Sequence, residues 1–176
     1  MKKIFKLISV FILLLAVNNV FAGGGKRTGT AGASELLIPV GPRGIAMGES
    51  NLVAATGIEA LFWNPAGVSH MQNNADVLFS HMSYIADIGV EYGAVAANFE
   101  GFGTIALSIK ALSIGDIAVT TTSNPDGTGE TFSPTMVTAG VSYSRMLTDA
   151  ISVGLTANLV SERMANVSAT GVAFDF

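Results

Sequence analysis

The sequence predicts an all-β protein, a transmembrane antiparallel β-barrel preceded by a short helical and turn-rich N-terminal segment. Three observations lead there. Of 176 residues, 49% are hydrophobic, only 12% are charged and 20 are glycine, whereas soluble domains average about 25% charged and about 7% glycine. Past the first residues, no stretch holds the roughly 18 uninterrupted apolar residues of a membrane-crossing helix. The second half alternates apolar with small or polar residues at period two, as strands between two different surroundings do.

At the N-terminus, Lys2, Lys3 and Lys6 precede an apolar run over residues 7–17, too short for the roughly 20 residues that span a bilayer as a helix. Val20-Phe21-Ala22 then offers a cleavage site. Residues 1–22 therefore read as a secretory signal peptide, and the mature chain is expected in the cell outer membrane. Its removal leaves six of the nine basic residues against thirteen acidic ones. That balance argues against a nucleic-acid partner, whose phosphates need a Lys/Arg footprint. The absence of cysteine excludes disulfides, thiol nucleophiles and cysteine-ligated metals.

Residues 23–71 form a periplasmic or plug-like segment. It opens with a Gly-rich leader over residues 23–30. A short helical turn is expected over residues 33–38, stopped by Pro39, followed by a turn-rich stretch to Gly44. A second short helix over residues 58–63 ends before Asn64-Pro65-Ala66-Gly67, since proline disfavours helical backbone in the residue before it. Asn64, Pro65 and Gly67 stand where a type I turn wants them. The tetrapeptide reads as a rigid corner feeding the first strand.

Residues 75–176 hold about six strands. In residues 104–111, Ile105, Leu107, Ile109 and Ala111 share one face, opposite Thr104, Ala106, Ser108 and Lys110. Residues 136–146 set Val137, Ala139, Val141 and Tyr143 against Thr138, Gly140, Ser142 and Ser144. Residues 150–160 set Ile151, Val153, Leu155, Ala157 and Leu159 against Ser152, Gly154, Thr156 and Asn158. Residues 168–176 set Val172, Phe174 and Phe176 against Gly171, Ala173 and Asp175. Residues 88–99 alternate more loosely, with Ile88, Val90, Tyr92, Ala94 and Ala96 on the apolar side. Residues 77–85 have strand composition without clean alternation. A soluble sandwich shows water a charged face; the faces here, mostly Gly, Ser, Thr, Ala and Asn with Lys110 and Glu91 as exceptions, suit a barrel lumen, with the apolar faces toward outer-membrane lipid. Short links at residues 100–103 and 147–149, and a long polar loop over residues 113–134, match the short inner turns and long outer loops of such barrels. Tyr84, Phe99, Phe102 and Tyr143 are candidates for the aromatic girdle. Bacterial outer-membrane barrels have at least eight strands, so six mark a partial barrel, completed by further strands or further chains.

Enzymatic chemistry is not expected, and neither is a cofactor. His70 and His81 lack the H-E-x-x-H spacing of a zinc site, and no G-x-S-x-G elbow or phosphate loop is present. His81 reads as a polar group facing the lumen. Asp126 and Glu130 supply oxygen ligands for a calcium ion, although a surface turn bent by Pro125 and Gly127 explains that stretch more simply. Arg43, one of few basic residues, has two readings: a plug anchor through an ion pair with Glu91 or Asp175, or a solvated arginine in a periplasmic loop.

Gly44-Ile45-Ala46-Met47-Gly48-Glu49-Ser50, Val53-Ala54-Ala55 and Glu59-Ala60-Leu61-Phe62-Trp63-Asn64-Pro65-Ala66-Gly67-Val68 together resemble the start of the PorV/PorQ family of FadL-like outer-membrane barrels. Met146-Leu147-Thr148-Asp149, Ile151-Ser152-Val153-Gly154 and Gly171-Val172-Ala173-Phe174-Asp175 extend the likeness over most of the mature chain. The chain departs from the family at Thr56-Gly57-Ile58, where an acidic pair is common, and in its smaller number of strands. The resemblance implies a barrel of about fourteen strands, within the bacterial range, with the N-terminal segment tucked toward the lumen. Gly44, Met47, Gly48, Trp63, Asn64, Pro65 and Gly67 then become structural motif residues. It also implies a role in type IX protein secretion, with secretion-system components and secreted cargo proteins as partners. Kinship with FadL offers the alternative of moving a hydrophobic ligand across the outer membrane, since fold alone does not select function. A secreted soluble β-protein is the remaining alternative.

Overall fold

The structure, a computed structural model, describes residues 32–176. The signal peptide and Gly-rich leader expected for residues 1–30 lie outside the described residues.

Six strands follow one another as an antiparallel meander. They are β1 (Ala75–Ser83), β2 (Gly89–Phe99), β3 (Gly103–Ser113), β6 (Thr135–Thr148), β7 (Ile151–Met164) and β8 (Val167–Asp175), paired in that order. Between β3 and β6, the long loop folds a two-stranded ribbon of β4 (Ile117–Ala118) and β5 (Thr131–Phe132). With two residues each, these strands carry no readable periodicity. Its tip is set by the Asn124-Pro125-Asp126-Gly127 turn, where the Gly127 amide donates to the Asn124 carbonyl at 3.2 Å. The β1–β2 hairpin turns through Ala86 and Asp87, both at positive φ (54° and 59°), the backbone hand that matches strand twist. β1 pairs only with β2, and β8 only with β7. Among the described residues the sheet is therefore open, with two free edges.

The N-terminal segment folds into short pieces. Ser34–Leu37, Gly57–Glu59 and Pro65–His70 are 3₁₀ turns, Pro42–Ala46 and Ala60–Trp63 single helical turns. The turn at 34–37, the helix ending at Trp63 and the corner at Asn64 agree with expectation. The helix at Pro42–Ala46 replaces an expected turn. Pro42 occupies its first turn, where a missing N–H costs nothing.

This segment packs on one face of the sheet. Its Val40, Ala55, Ile58, Ala60, Leu61, Val68 and Met71 form a core with Val90, Tyr92, Ala94 and Ala96 of β2 and Ala106 and Leu112 of β3. On β3, β6 and β7 the covered face is mostly small: Thr104, Ala106, Thr138, Ser142, Ser144 and Thr156 are buried. The opposite face is apolar and open. Leu107, Ile109, Val141, Leu155, Leu159, Val172 and Phe174 are each between 42% and 64% exposed, and Phe79 of β1 is 84% exposed.

Two strands depart from the expected assignment of faces. On β2 the apolar set of Val90, Tyr92, Ala94 and Ala96 points under the N-terminal segment, because that segment needs an apolar seat. β1 alternates cleanly in burial. Its sequence hides this: Leu78 and Met82 pack beneath the segment, while Val77 and Phe79 face the other way.

Candidate functional site

The residues singled out in the sequence converge on the seam between the N-terminal segment and the sheet. Gly44 lies under the Trp63 indole, where a Cβ would stand 2.5–2.8 Å from ring atoms. Only glycine lets the helix at Pro42–Ala46 come so close. Phe62 meets Trp63 edge-on, with ring centroids 5.2 Å apart.

Asn64 then organises the corner. Its side-chain oxygen accepts from the Ala66 amide at 3.1 Å, its side-chain nitrogen donates to the Leu52 carbonyl, and its own carbonyl accepts from the Gly67 amide at 2.9 Å. Gly67 is held by space, since a Cβ would meet the Ala55 carbonyl oxygen at 2.7 Å and the Ala60 methyl at 2.8 Å. Gly44, Trp63, Asn64, Pro65 and Gly67 thus act as one unit. Gly48, at φ +64°, turns the chain. Met47 stands apart from this unit and is 43% exposed.

The corner is fastened to β6 and β7. Ser144 donates to the Ala66 carbonyl at 3.2 Å, and Ser152 bonds the His70 Nε2 at 3.0 Å. At Gly154 a Cβ would run into the backbone of Pro65 and Ala66. The glycine and serines of the small face are the footprint of the corner.

At the other end of the segment the fastening is electrostatic. Lys110 crosses from β3, only 4% exposed. Its Nζ donates to the Glu35 carbonyl at 2.8 Å and also to the Ile38 carbonyl, and it sits 4.9 Å from the centre of the Phe62 ring. The Glu35 carbonyl also accepts from the Ile38 amide at 3.2 Å, so the ammonium adds a second donor there and supplies one to the Ile38 carbonyl at the end of the 3₁₀ turn, with a ring face beside it. Glu162 of β7 accepts from the Ala33 amide at 2.8 Å. The Glu35 side chain is buried, and both its carboxyl oxygens lack a hydrogen-bond partner. Burial raises the Glu35 pKa from its ordinary value; its own backbone amide works against the rise, Glu162 adds to it and Lys110 opposes it.

Arg43 does not make the expected contact with the sheet. It pairs with Glu59 at 3.5 Å, within its own segment and largely exposed. Glu91 points away on the open face, 2.5 Å from the Nδ1 of His81, and Asp175 accepts from Asn158 at 2.7 Å. His81 is accordingly on the open face, not the covered one. The basic residue that does bridge to the segment is Lys110, whose signal was present as the one charge on an otherwise small face of β3.

Asp126 and Glu130 are exposed in the β4–β5 loop. Among the described residues no cluster of three metal-ligating side chains gathers there or elsewhere. Of the girdle candidates, Phe102 and Tyr143 join at one end of the sheet, where the Tyr143 hydroxyl donates to the Phe102 carbonyl at 2.6 Å. Phe99 ends the neighbouring strand, half exposed, and Tyr84 lies past the far end of β1.

A cavity of about 120 Å³ remains in the seam, lined by Leu36, Leu61 and Phe62 of the segment and by Lys110, Thr138 and Asn158 of the sheet. Sites for drug-sized ligands span roughly 300–1,000 Å³, so this one takes only a few small molecules such as water. Compared with protein-family models, curated proteins and solved structures, the chain matches none.

Proposed function

We propose that the chain is wall and plug of an outer-membrane β-barrel of the PorV/PorQ kind, which handles cargo in type IX protein secretion. One observation carries the membrane part: on β3, β6 and β7 the covered face is mostly small, while Ile, Leu, Val and Phe side chains of the sheet stand open on the other. Burying one large apolar side chain is worth about 1.5–3 kcal/mol. Eight of them half exposed to water would forgo on the order of 10 kcal/mol, comparable to the whole stability of a typical domain, about 5–15 kcal/mol. Lipid against that face removes the deficit. The free edges of β1 and β8 ask for partners too, since unpaired strand edges do not persist in the hydrocarbon region; further strands closing the ring supply them.

The secretion role rests on the motif residues of the 44–68 stretch. Their compact, tightly fastened corner supports a structural plug.

Cell fractionation with an affinity-tagged chain tests both parts. Expected is recovery in the outer-membrane fraction after alkaline extraction, together with exported proteins and translocon components. Recovery from periplasm or culture fluid without detergent overturns the membrane part. Membrane recovery without exported proteins overturns the secretion part alone.

A further inference from the structure

The buried carboxyl of Glu35 has no role in the fastening just described, yet it lies inside it. Both its oxygens are buried and unpartnered, which for an ionised carboxylate is costly. Its own carbonyl, not its side chain, receives the Lys110 ammonium. The other carboxyl acting on it is Glu162 of β7, whose Oε1 is taken up by the amide of Ala33, two residues before Glu35. Two carboxyl groups so placed do not both ionise readily; one proton between them relieves the repulsion and gives the orphan oxygens a donor.

We propose that Glu35 and Glu162 form a proton-operated latch, which holds the turn at Ser34–Leu37 against β7 while they share a proton and frees it when both ionise. The charged groups acting on Glu35 are Glu162 of β7 and Lys110 of β3. Tyr92 of β2 and Asp175 of β8 face the adjoining cavity from the side of Lys110. Arg43 and Glu59 neutralise each other elsewhere.

The direction follows from linkage. A carboxyl that holds its proton more tightly in the seated state stabilises that state fully below its unperturbed pKa. The contribution fades as pH rises through the seated-state pKa. The latch depends on the seam and not on what covers the open face.

The full chain has no cysteine, so a single spin label at Leu37→Cys, an exposed position, reports the turn alone. Titration of the detergent-solubilised protein from about pH 4 to about pH 7, spanning raised carboxyl pKa values, is expected to convert a slow label to a fast one. E35Q should remove the transition and E162Q should move it to lower pH. A label equally mobile at every pH overturns the latch, as does an unchanged transition in both variants. Should E35Q not fold, the midpoint in E162Q decides alone: a shift to lower pH supports the latch and an unmoved midpoint overturns it.

Discussion

Gly154 of β7 lies directly beneath the backbone of Pro65 and Ala66, at a separation that leaves no room for a Cβ. This contact fixes how deeply the N-terminal corner sits on the sheet. Overpacking of a closed contact costs about 1–3 kcal/mol, and here the obstructing atoms are backbone. Gly154→Ala is therefore expected to lower stability by about that amount and to expose residues 65–71 to protease. Gly171→Ala on β8, where a Cβ meets nothing within 4 Å, is the control and should change neither. Thermal unfolding and limited proteolysis in detergent read both.

The approach of Gly44 to Trp63 gives a spectroscopic test, because the chain has one tryptophan. Gly44→Ala forces the indole from its place against the helix at Pro42–Ala46. Its emission should move to longer wavelength, with a stability loss of about 1–3 kcal/mol. An unshifted spectrum would mean that the close approach is not needed.

Lys110 should matter more than Arg43. Lys110→Met keeps most of the side-chain volume but takes the ammonium from both carbonyls; the Glu35 carbonyl still accepts from the Ile38 amide, while the Ile38 carbonyl loses its Lys110 donor, a loss worth about 1–3 kcal/mol when a buried acceptor is left unsatisfied. Arg43→Met breaks only an exposed pair, worth about 0–1 kcal/mol. Melting temperatures of the two variants should separate accordingly. Equal losses would contradict the placement of Lys110 as the bridge.

Much of this fold was legible in advance, for a physical reason. β3, β6, β7 and β8 each separate large apolar side chains from small ones, so period-two alternation located them. β2 alternates as well, but its Val90, Tyr92, Ala94 and Ala96 seat the N-terminal segment, and alternation cannot say which side that segment occupies. β1 mixes His81 with Val77 and Phe79 on one face and Asp76 and Ser80 with Leu78 on the other, which erased its signal. Gly44, Trp63, Asn64 and Gly67 were visible as a motif, whereas their mutual contact is a matter of packing. The Lys110 bridge joins residues 72 and 75 positions apart, and the competing Arg43–Glu59 pair lies within one segment. No local pattern encodes that choice.

The solvent of the open face is read most directly at its centre. Leu107 stands there between Val95 and Val141 and is half exposed. The measurement is the unfolding free energy of Leu107→Arg against the unsubstituted chain refolded into lipid vesicles. A lipid-facing position near the midplane should lose about 2–4 kcal/mol. A change within about 0.5 kcal/mol, as at an ordinary water-exposed site, would contradict the membrane assignment.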